Sequence, residues 1–213
     1  MSVVSRRPRR PYPWIALGIV VGGYVVPASP VRGQTAASPA TSAASAAASS
    51  VPDAASAAEV RRHFVADLDT LQARFVALAE AIPEDKYAWR PAPGVRSIGE
   101  AFMHAASEYY TFAPAAYGAP RSPLIGRGAE AFRKFESTST KPEVLRHLRE
   151  GPAYARQALG ALEPSQIAGT RKLFGGDHTI VETSFAVTAD LHEHLGQLIA
   201  YARMNGVKPP WSK

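Results

Sequence analysis

Four stretches of this chain repeat apolar residues at the three- and four-residue spacing of an α-helix, and this periodicity most limits the possible folds. The first stretch carries one apolar stripe along about six turns, at positions 60, 64, 68, 71, 75, 78 and 82. Pro83 ends it, because proline cannot continue a helix. Strand-like alternation is almost absent. We therefore predict an all-α fold, a four-helix bundle with long crossover loops.

Two of the helix starts are predicted from capping residues. Ser97 stands three residues before Glu100, the spacing of a capping box in which each side chain satisfies a free backbone amide. Thr140 has the same spacing to Glu143, with a proline in the first turn where its missing amide costs nothing. The second helix should therefore begin at Ser97, and the third should run from about 141 to 162.

Glycine and proline predict where the other helices are interrupted or end. Gly151-Pro152 predicts a kink or a short break in the third helix, since proline removes one backbone hydrogen bond. Residues 115–139 and 163–180 are rich in these two residues and are predicted to be connections. The fourth helix is predicted from about 182 to 204.

The N-terminal segment is typical of a secretory signal peptide. Its first 33 residues carry five arginines and no acidic residue, and an apolar stretch runs from Trp14 to about Val26. Cleavage is expected just before Gln34. Because a bilayer crossing needs about 20 apolar residues, we expect no stable membrane span after processing, with a retained N-terminal anchor as the alternative. The protein is therefore expected to be exported, to the periplasm or the extracellular medium.

The rest of the chain divides into a linker and one domain. Residues 34–58 are almost entirely Ala, Ser, Thr and Pro, which predicts a flexible, disordered linker. Residues 59–213 are enough for one helical bundle domain with a substantial core. The absence of cysteine excludes disulfides and thiolate metal sites, so the core must hold the fold.

The charge of the chain argues against a nucleic-acid partner. The net charge of +6 comes largely from the leader, whose removal leaves 19 basic against 18 acidic residues. No stripe of Lys and Arg with interleaved aromatic residues follows position 60. The expected partner is an unidentified small-molecule substrate, and a homodimer is left open.

The most informative polar residues form a candidate metal site. Asp190 and His194 lie one turn apart in the fourth helix, so their side chains share a face, whereas His192 points elsewhere. Bundles build metal sites from facing helices, and His104 in the second helix is the best candidate for a third ligand. Taken alone, a histidine such as His104 is more often a hydrogen-bonded core or boundary residue than a ligand. The Asp190 and His194 pair is also compatible with a solvated helix face.

Glu108 is the candidate catalytic residue. It lies one turn beyond His104, where it could act as a base or as an outer partner of a ligand. A solvated helix face is the alternative. We place it in a substrate pocket lined also by Phe102 and by the connection at 115–139.

The other histidines rank lower as ligands. His63 and His147 stand among charged neighbours and are predicted to lie on the surface. His178 lies in a glycine-rich stretch, where it could cover the site as a lid.

Three segments of the chain resemble the DinB superfamily: Lys86–Pro91, Val95–His104 and His194–Pro210. The resemblance covers nearly all of 59–213. It implies a four-helix bundle with a divalent metal, commonly zinc or nickel, held by one histidine on the second helix and a histidine pair one turn apart on the last.

The resemblance maps two of those ligands directly, onto His104 and His194. The third falls on Asp190, where the family usually has histidine. A carboxylate is an acceptable zinc ligand, and two histidines with one carboxylate also suit iron, nickel or manganese. The departure therefore changes the expected metal more than it excludes one, with a degenerate site as the alternative.

Three protein ligands leave a coordination position open, which is typical of catalytic metals. The first hypothesis is accordingly a metal-dependent hydrolase that uses a metal-activated water. The resemblance also implies thiol-dependent transferases, but an exported protein is poorly placed to meet a cytosolic thiol. Thiol transfer is the second hypothesis, and a non-catalytic metal-binding or interaction bundle is the third.

Overall fold

The computed structural model describes residues 54–212, apart from positions 168 and 174. The predicted leader at 1–33 and most of the predicted linker lie outside these residues. Among the helices of the described part, none is both long and apolar enough to cross a membrane.

The described part consists of helices and one short hairpin, besides a single 3-10 turn at Glu84–Lys86. In chain order the elements are α1 (Ala54–Ala81), α2 (Ile98–Tyr110), α3 (Phe112–Ala116), α4 (Ala129–Ser137), α5 (Lys141–Gly160), α6 (Pro164–Ile167), β1 (Thr170–Leu173), β2 (Gly176–Thr179) and α7 (Ile180–Met204). Each of α1 and α2 packs against both α5 and α7. The predicted four-helix bundle is confirmed.

The predicted apolar stripe of α1 is the part of this helix that enters the core. Its fully buried members are Leu68, Leu71, Phe75, Leu78 and, just beyond the helix end, Ile82. The helix begins at Ala54, inside the segment predicted to be linker. Alanine has the highest helix propensity, and the Ala-rich sequence before Val60 continues the helix backwards.

The capping box at the start of α2 is confirmed. The Ser97 hydroxyl accepts from the Glu100 amide at 3.2 Å, and the Glu100 carboxylate accepts from the Ser97 amide at 2.7 Å. The box predicted at Thr140 is wrong, because its side chain makes no capping hydrogen bond, although α5 does begin at the next residue. Spacing identified the helix start there but not the way its amides are satisfied.

A kink or a short break was predicted in α5, and the break is wrong. The helix runs without interruption through Gly151 and Pro152, and both residues are buried. A Cβ atom added at Gly151 would lie 3.2 Å from the Cβ of Tyr109, so this glycine lets α5 approach α2 closely. Packing between the two helices therefore outweighs the local cost of glycine and proline.

The two connections contain more structure than their composition predicts. Residues 115–139 include α4, which packs against α2. Residues 163–180 include α6 and an antiparallel hairpin that pairs Thr170 with Thr179 and Leu173 with Gly176. Four-residue, mostly polar strands are too short to show a clear alternation, which explains why the sequence did not predict them.

Candidate metal centre

Helices α2 and α7 pack against each other, and each carries a histidine and a carboxylate one turn apart. The ligand atoms of His104, Glu108 and His194 all lie within 4.8 Å of one another. Nε2 of His104 is 3.8 Å from Oε1 of Glu108. The rings of His104 and His194 meet edge to face, with centroids 4.7 Å apart. This group could bind a divalent metal ion.

Asp190 lies beside this group rather than within it. Its Oδ2 is 3.5 Å from Nε2 of His194, and its side chain is 37% exposed, against 14% for Glu108. The structure thus brings two of the predicted ligands, His104 and His194, together, and it adds Glu108 as the more buried carboxylate. Asp190 as a ligand stays a prediction, as does the catalytic role of Glu108.

Nε2 of His194 is a buried atom that has no hydrogen-bond partner among the described residues. Oδ2 of Asp190 lies 3.5 Å away, close enough for an ion pair. A buried polar atom without a partner costs free energy unless something satisfies it. A neutral imidazole nitrogen is a common metal ligand, so the residues present fit a divalent ion.

The acidic groups around the site alter each other's pKa. Burial raises the pKa of Glu108 to about 7, and the charge of Asp190 adds to the effect. Burial by itself would lower the pKa of His194, but the carboxylates of Asp190 and Glu108 outweigh it and raise this pKa. The raised pKa of His194, and the part of the Glu108 shift that comes from Asp190, reflect a negative potential between α2 and α7, which favours a cation there.

The other nitrogen of His104 is held by a residue that the sequence did not single out. Nδ1 of His104 lies 2.8 Å from Oε1 of Glu136 in α4. Arg96 donates to both oxygens of that carboxylate, at 2.9 and 3.1 Å. Burial would raise the pKa of Glu136, but the hydrogen bonds from His104 and Arg96 lower it to about 2. Glu136 is therefore an ionised acceptor.

Glu136 and Arg96 were missed for different reasons. Glu136 lies 32 positions from His104, in a segment that was predicted to be a loop, so no local spacing connects the two. Arg96 stands inside one of the segments that resemble the DinB superfamily, and it precedes the cap of α2. That position is the one signal that could have identified it.

Two other histidines lie where the sequence predicted. Nε2 of His192 is 3.1 Å from Oδ1 of Asp67 in α1, so this side chain points away from the candidate site, as predicted. His63 is exposed and pairs with Glu59 on the same helix face, which confirms its surface position.

The prediction for His147 was wrong. Its side chain is only 2% exposed, with Nδ1 3.2 Å from the Tyr110 hydroxyl and the ring 4.7 Å from that of Phe135. The charged neighbours in sequence point outward while His147 points into the bundle. His178 lies in β2, and its role as a lid stays a prediction.

Phe102 does not line an open pocket. It is fully buried and stacks on Tyr87, with ring centroids 6.1 Å apart. Phe102 is thus a core residue, and it supports the helix that carries His104.

Comparison with known proteins agrees with this architecture. A family model described as the DinB superfamily matches residues 67–198, the range that contains the whole candidate site. A solved structure of a DinB-like protein from Bacillus cereus ATCC 10987 superposes with a TM-score of 0.56 at 12% sequence identity. The match covers 70% of this chain and 95% of that chain, and at this identity it shows the fold alone. No curated protein sequence matches the chain.

Proposed function

This chain belongs to the DinB superfamily, and we propose that it is an exported metal-dependent hydrolase acting on a small molecule. The observation that carries the proposal is the buried Nε2 of His194, which has no hydrogen-bond partner among the described residues and belongs to a histidine whose ligand atom lies within 4.8 Å of those of His104 and Glu108. Such an atom is best explained by a cation that shares its lone pair.

The proposed ligands come as two pairs, one on each helix. His104 and His194 would supply nitrogen, and Asp190 would supply oxygen, with Glu108 either as a further oxygen ligand or as the proton carrier. Two carboxylates balance the charge of a divalent cation in a partly buried position. Mixed nitrogen and oxygen ligands suit zinc, nickel, iron and manganese.

The ion would supply Lewis acidity and an activated water to the reaction. The chain itself supplies position and proton handling around that ion. Glu108 is held at 14% exposure on the same face as His104, where its carboxylate can bind the ion or hold a proton. Glu108→Gln separates these roles. Loss of metal content would identify a ligand, and retained metal with lost hydrolysis would identify a proton carrier.

The first experiment measures metal content in the purified protein. Wild type should carry about one divalent ion per chain, and His194→Ala should carry almost none, because it removes one of the two nitrogen ligands. His192→Ala is the matched control. Because His192 pairs with Asp67 and points away from the candidate site, this variant should keep the metal content of wild type. Full occupancy in His194→Ala would refute the assignment.

Hydrolysis is tested on a panel of simple esters, amides and phosphoesters. We expect turnover of at least one class by the metal-loaded protein, with loss after chelation and in His194→Ala. A loaded wild type that turns over none of them, and that transfers a thiol instead, would favour the second hypothesis.

Export is tested separately. The full chain, expressed in a host with a secretory pathway, should yield a processed product that begins near Gln34. A product that keeps its original N-terminus and sediments with membranes would support the retained anchor.

A further inference from the structure

We propose that Glu136 is a positioning residue, which sets the tautomer and the orientation of His104 and is itself clamped by Arg96. The inference rests on the proposed function in one respect, because orienting His104 matters for metal affinity only if His104 is a ligand. The orientation itself can be measured without metal.

A series of contacts runs from Glu136 in α4 to His104 and on to Glu108. Oε1 of Glu136 lies 2.8 Å from Nδ1 of His104, and the Glu136 side chain is only 12% exposed. Because Arg96 donates to both oxygens of Glu136, this carboxylate acts as an acceptor, and the proton of a neutral His104 imidazole then lies on Nδ1. Nε2 then carries the lone pair, and it is this nitrogen that faces Glu108 at 3.8 Å.

Arg96 keeps the carboxylate in place. It donates to both oxygens of Glu136 through Nε and Nη2, so the carboxylate cannot rotate without losing one of these bonds. Arg96 is also 44% exposed, which leaves its guanidinium partly in solvent. The Arg96 and Glu136 pair thus connects the segment before α2 to α4, and Glu136 also contacts His104.

Phe135, the residue before Glu136, packs α4 against the bundle so that Glu136 can reach His104. Phe135 is 7% exposed, and its ring lies 4.7 Å from that of His147 and 6.2 Å from that of Tyr110. This apolar contact holds α4 against the bundle. Glu136, the next residue, is thereby directed at His104 rather than at solvent.

Partners of this kind are common beside metal-binding histidines, where they fix the ring and increase the basicity of the ligating nitrogen. Their loss typically weakens metal binding by about 10- to 100-fold. Glu136 lies outside the cluster of ligand atoms, so its removal deletes no proposed ligand.

The first test reads the tautomer of His104 by nitrogen-15 NMR of the metal-free full chain. The measurement is made near pH 9, above the ordinary imidazole pKa of about 6.5. Wild type should show Nδ1 protonated and Nε2 unprotonated. Glu136→Ala should shift His104 toward a mixture of tautomers, whereas Glu136→Gln should largely keep the wild-type tautomer, because its amide oxygen still accepts. An unchanged tautomer in Glu136→Ala would overturn the proposal.

The second test measures Zn²⁺ affinity by competition with a chromophoric chelator. Glu136→Ala should bind at least about 10-fold more weakly, with a smaller loss in Glu136→Gln. The control is Glu80→Ala, which removes an exposed ion pair with Arg149, 2.6 Å apart, between α1 and α5 and far from the candidate ligands in sequence. It should bind Zn²⁺ like wild type. An equal loss in the control, or no loss in Glu136→Ala, would overturn the proposal.

The two tests also separate this inference from the proposed function. If wild type binds none of Zn²⁺, Ni²⁺, Fe²⁺ and Mn²⁺ while the tautomer still depends on Glu136, the proposed function fails and the positioning role stands. If wild type binds Zn²⁺ and neither readout depends on Glu136, the positioning role fails and the proposed function stands.

Discussion

The buried carboxylate of Glu108 should make the metal-free protein less stable as the pH rises. Its pKa in the folded protein is about 7, against an ordinary value of 4.5, and burial is the main cause. The folded state therefore holds a proton that the unfolded state has already released over this range. The contribution of neutral Glu108 to the free energy of unfolding is fully present below about pH 4.5. It is lost as the pH rises through 7.

The size of the effect follows from the same two values. One pKa unit corresponds to about 1.4 kcal/mol, so the ionised carboxylate costs about 3 kcal/mol at a pH well above 7. Glu108→Gln keeps the shape of the side chain and removes the charge. The variant should therefore be more stable than wild type by about 2 to 3 kcal/mol at pH 8.5, and by much less at pH 4.5.

The assay is urea unfolding of chelator-treated protein at several pH values between 4.5 and 8.5. The quantity compared is the difference in free energy of unfolding between wild type and variant, which cancels the titration of most other groups. Glu193→Gln, an exposed position on α7, is the control and should show no such difference. Parallel pH profiles for wild type and Glu108→Gln would refute the reasoning.

Other predictions concern packing, capping and metal. Gly99→Ala should destabilise by about 1 to 3 kcal/mol in thermal unfolding, because its Cβ would lie 2.9 Å from that of Ser139 and closer still to that residue's carbonyl oxygen. Gly196→Ala, whose Cβ would meet nothing within 4 Å, should instead gain up to about 1 kcal/mol from helix propensity, and a loss at this position would contradict that account. Ser97→Ala should cost about 1 kcal/mol in urea unfolding, since it breaks the capping box of α2; an unchanged midpoint would show that the cap is dispensable. Zinc at 100 times its dissociation constant should raise the free energy of unfolding of wild type by about 2.7 kcal/mol, and an equal rise in His194→Ala would argue against the site.

The long helices could be predicted from the sequence because their signals are local. The stripe of α1 and the capping box of α2 depend on residues three or four positions apart, and both are confirmed. The α5 break failed because propensity at Gly151 and Pro152 was outweighed by the close approach of α2. The four-residue strands of the hairpin were too short to detect, whereas α4 has helical spacing at Phe132 and Phe135 but lies in a glycine- and proline-rich stretch that predicted a loop.

The candidate site could be predicted in part. His104 and His194 were identified from the predicted helices and from the resemblance to the DinB superfamily, and the structure brings their rings together. The surface prediction for His147 failed because charged sequence neighbours say nothing about the face that a single side chain occupies.

The sequence by itself determined which residues share a helix face: His104 with Glu108, and Asp190 with His194. Helical geometry makes that a local property, independent of the rest of the fold. Only the tertiary structure decided that Glu108 is the carboxylate grouped with the two histidines, and that Glu136 contacts Nδ1 of His104. Those contacts depend on how α2, α4 and α7 pack, and packing distances between helices are not encoded in the spacing along any one of them.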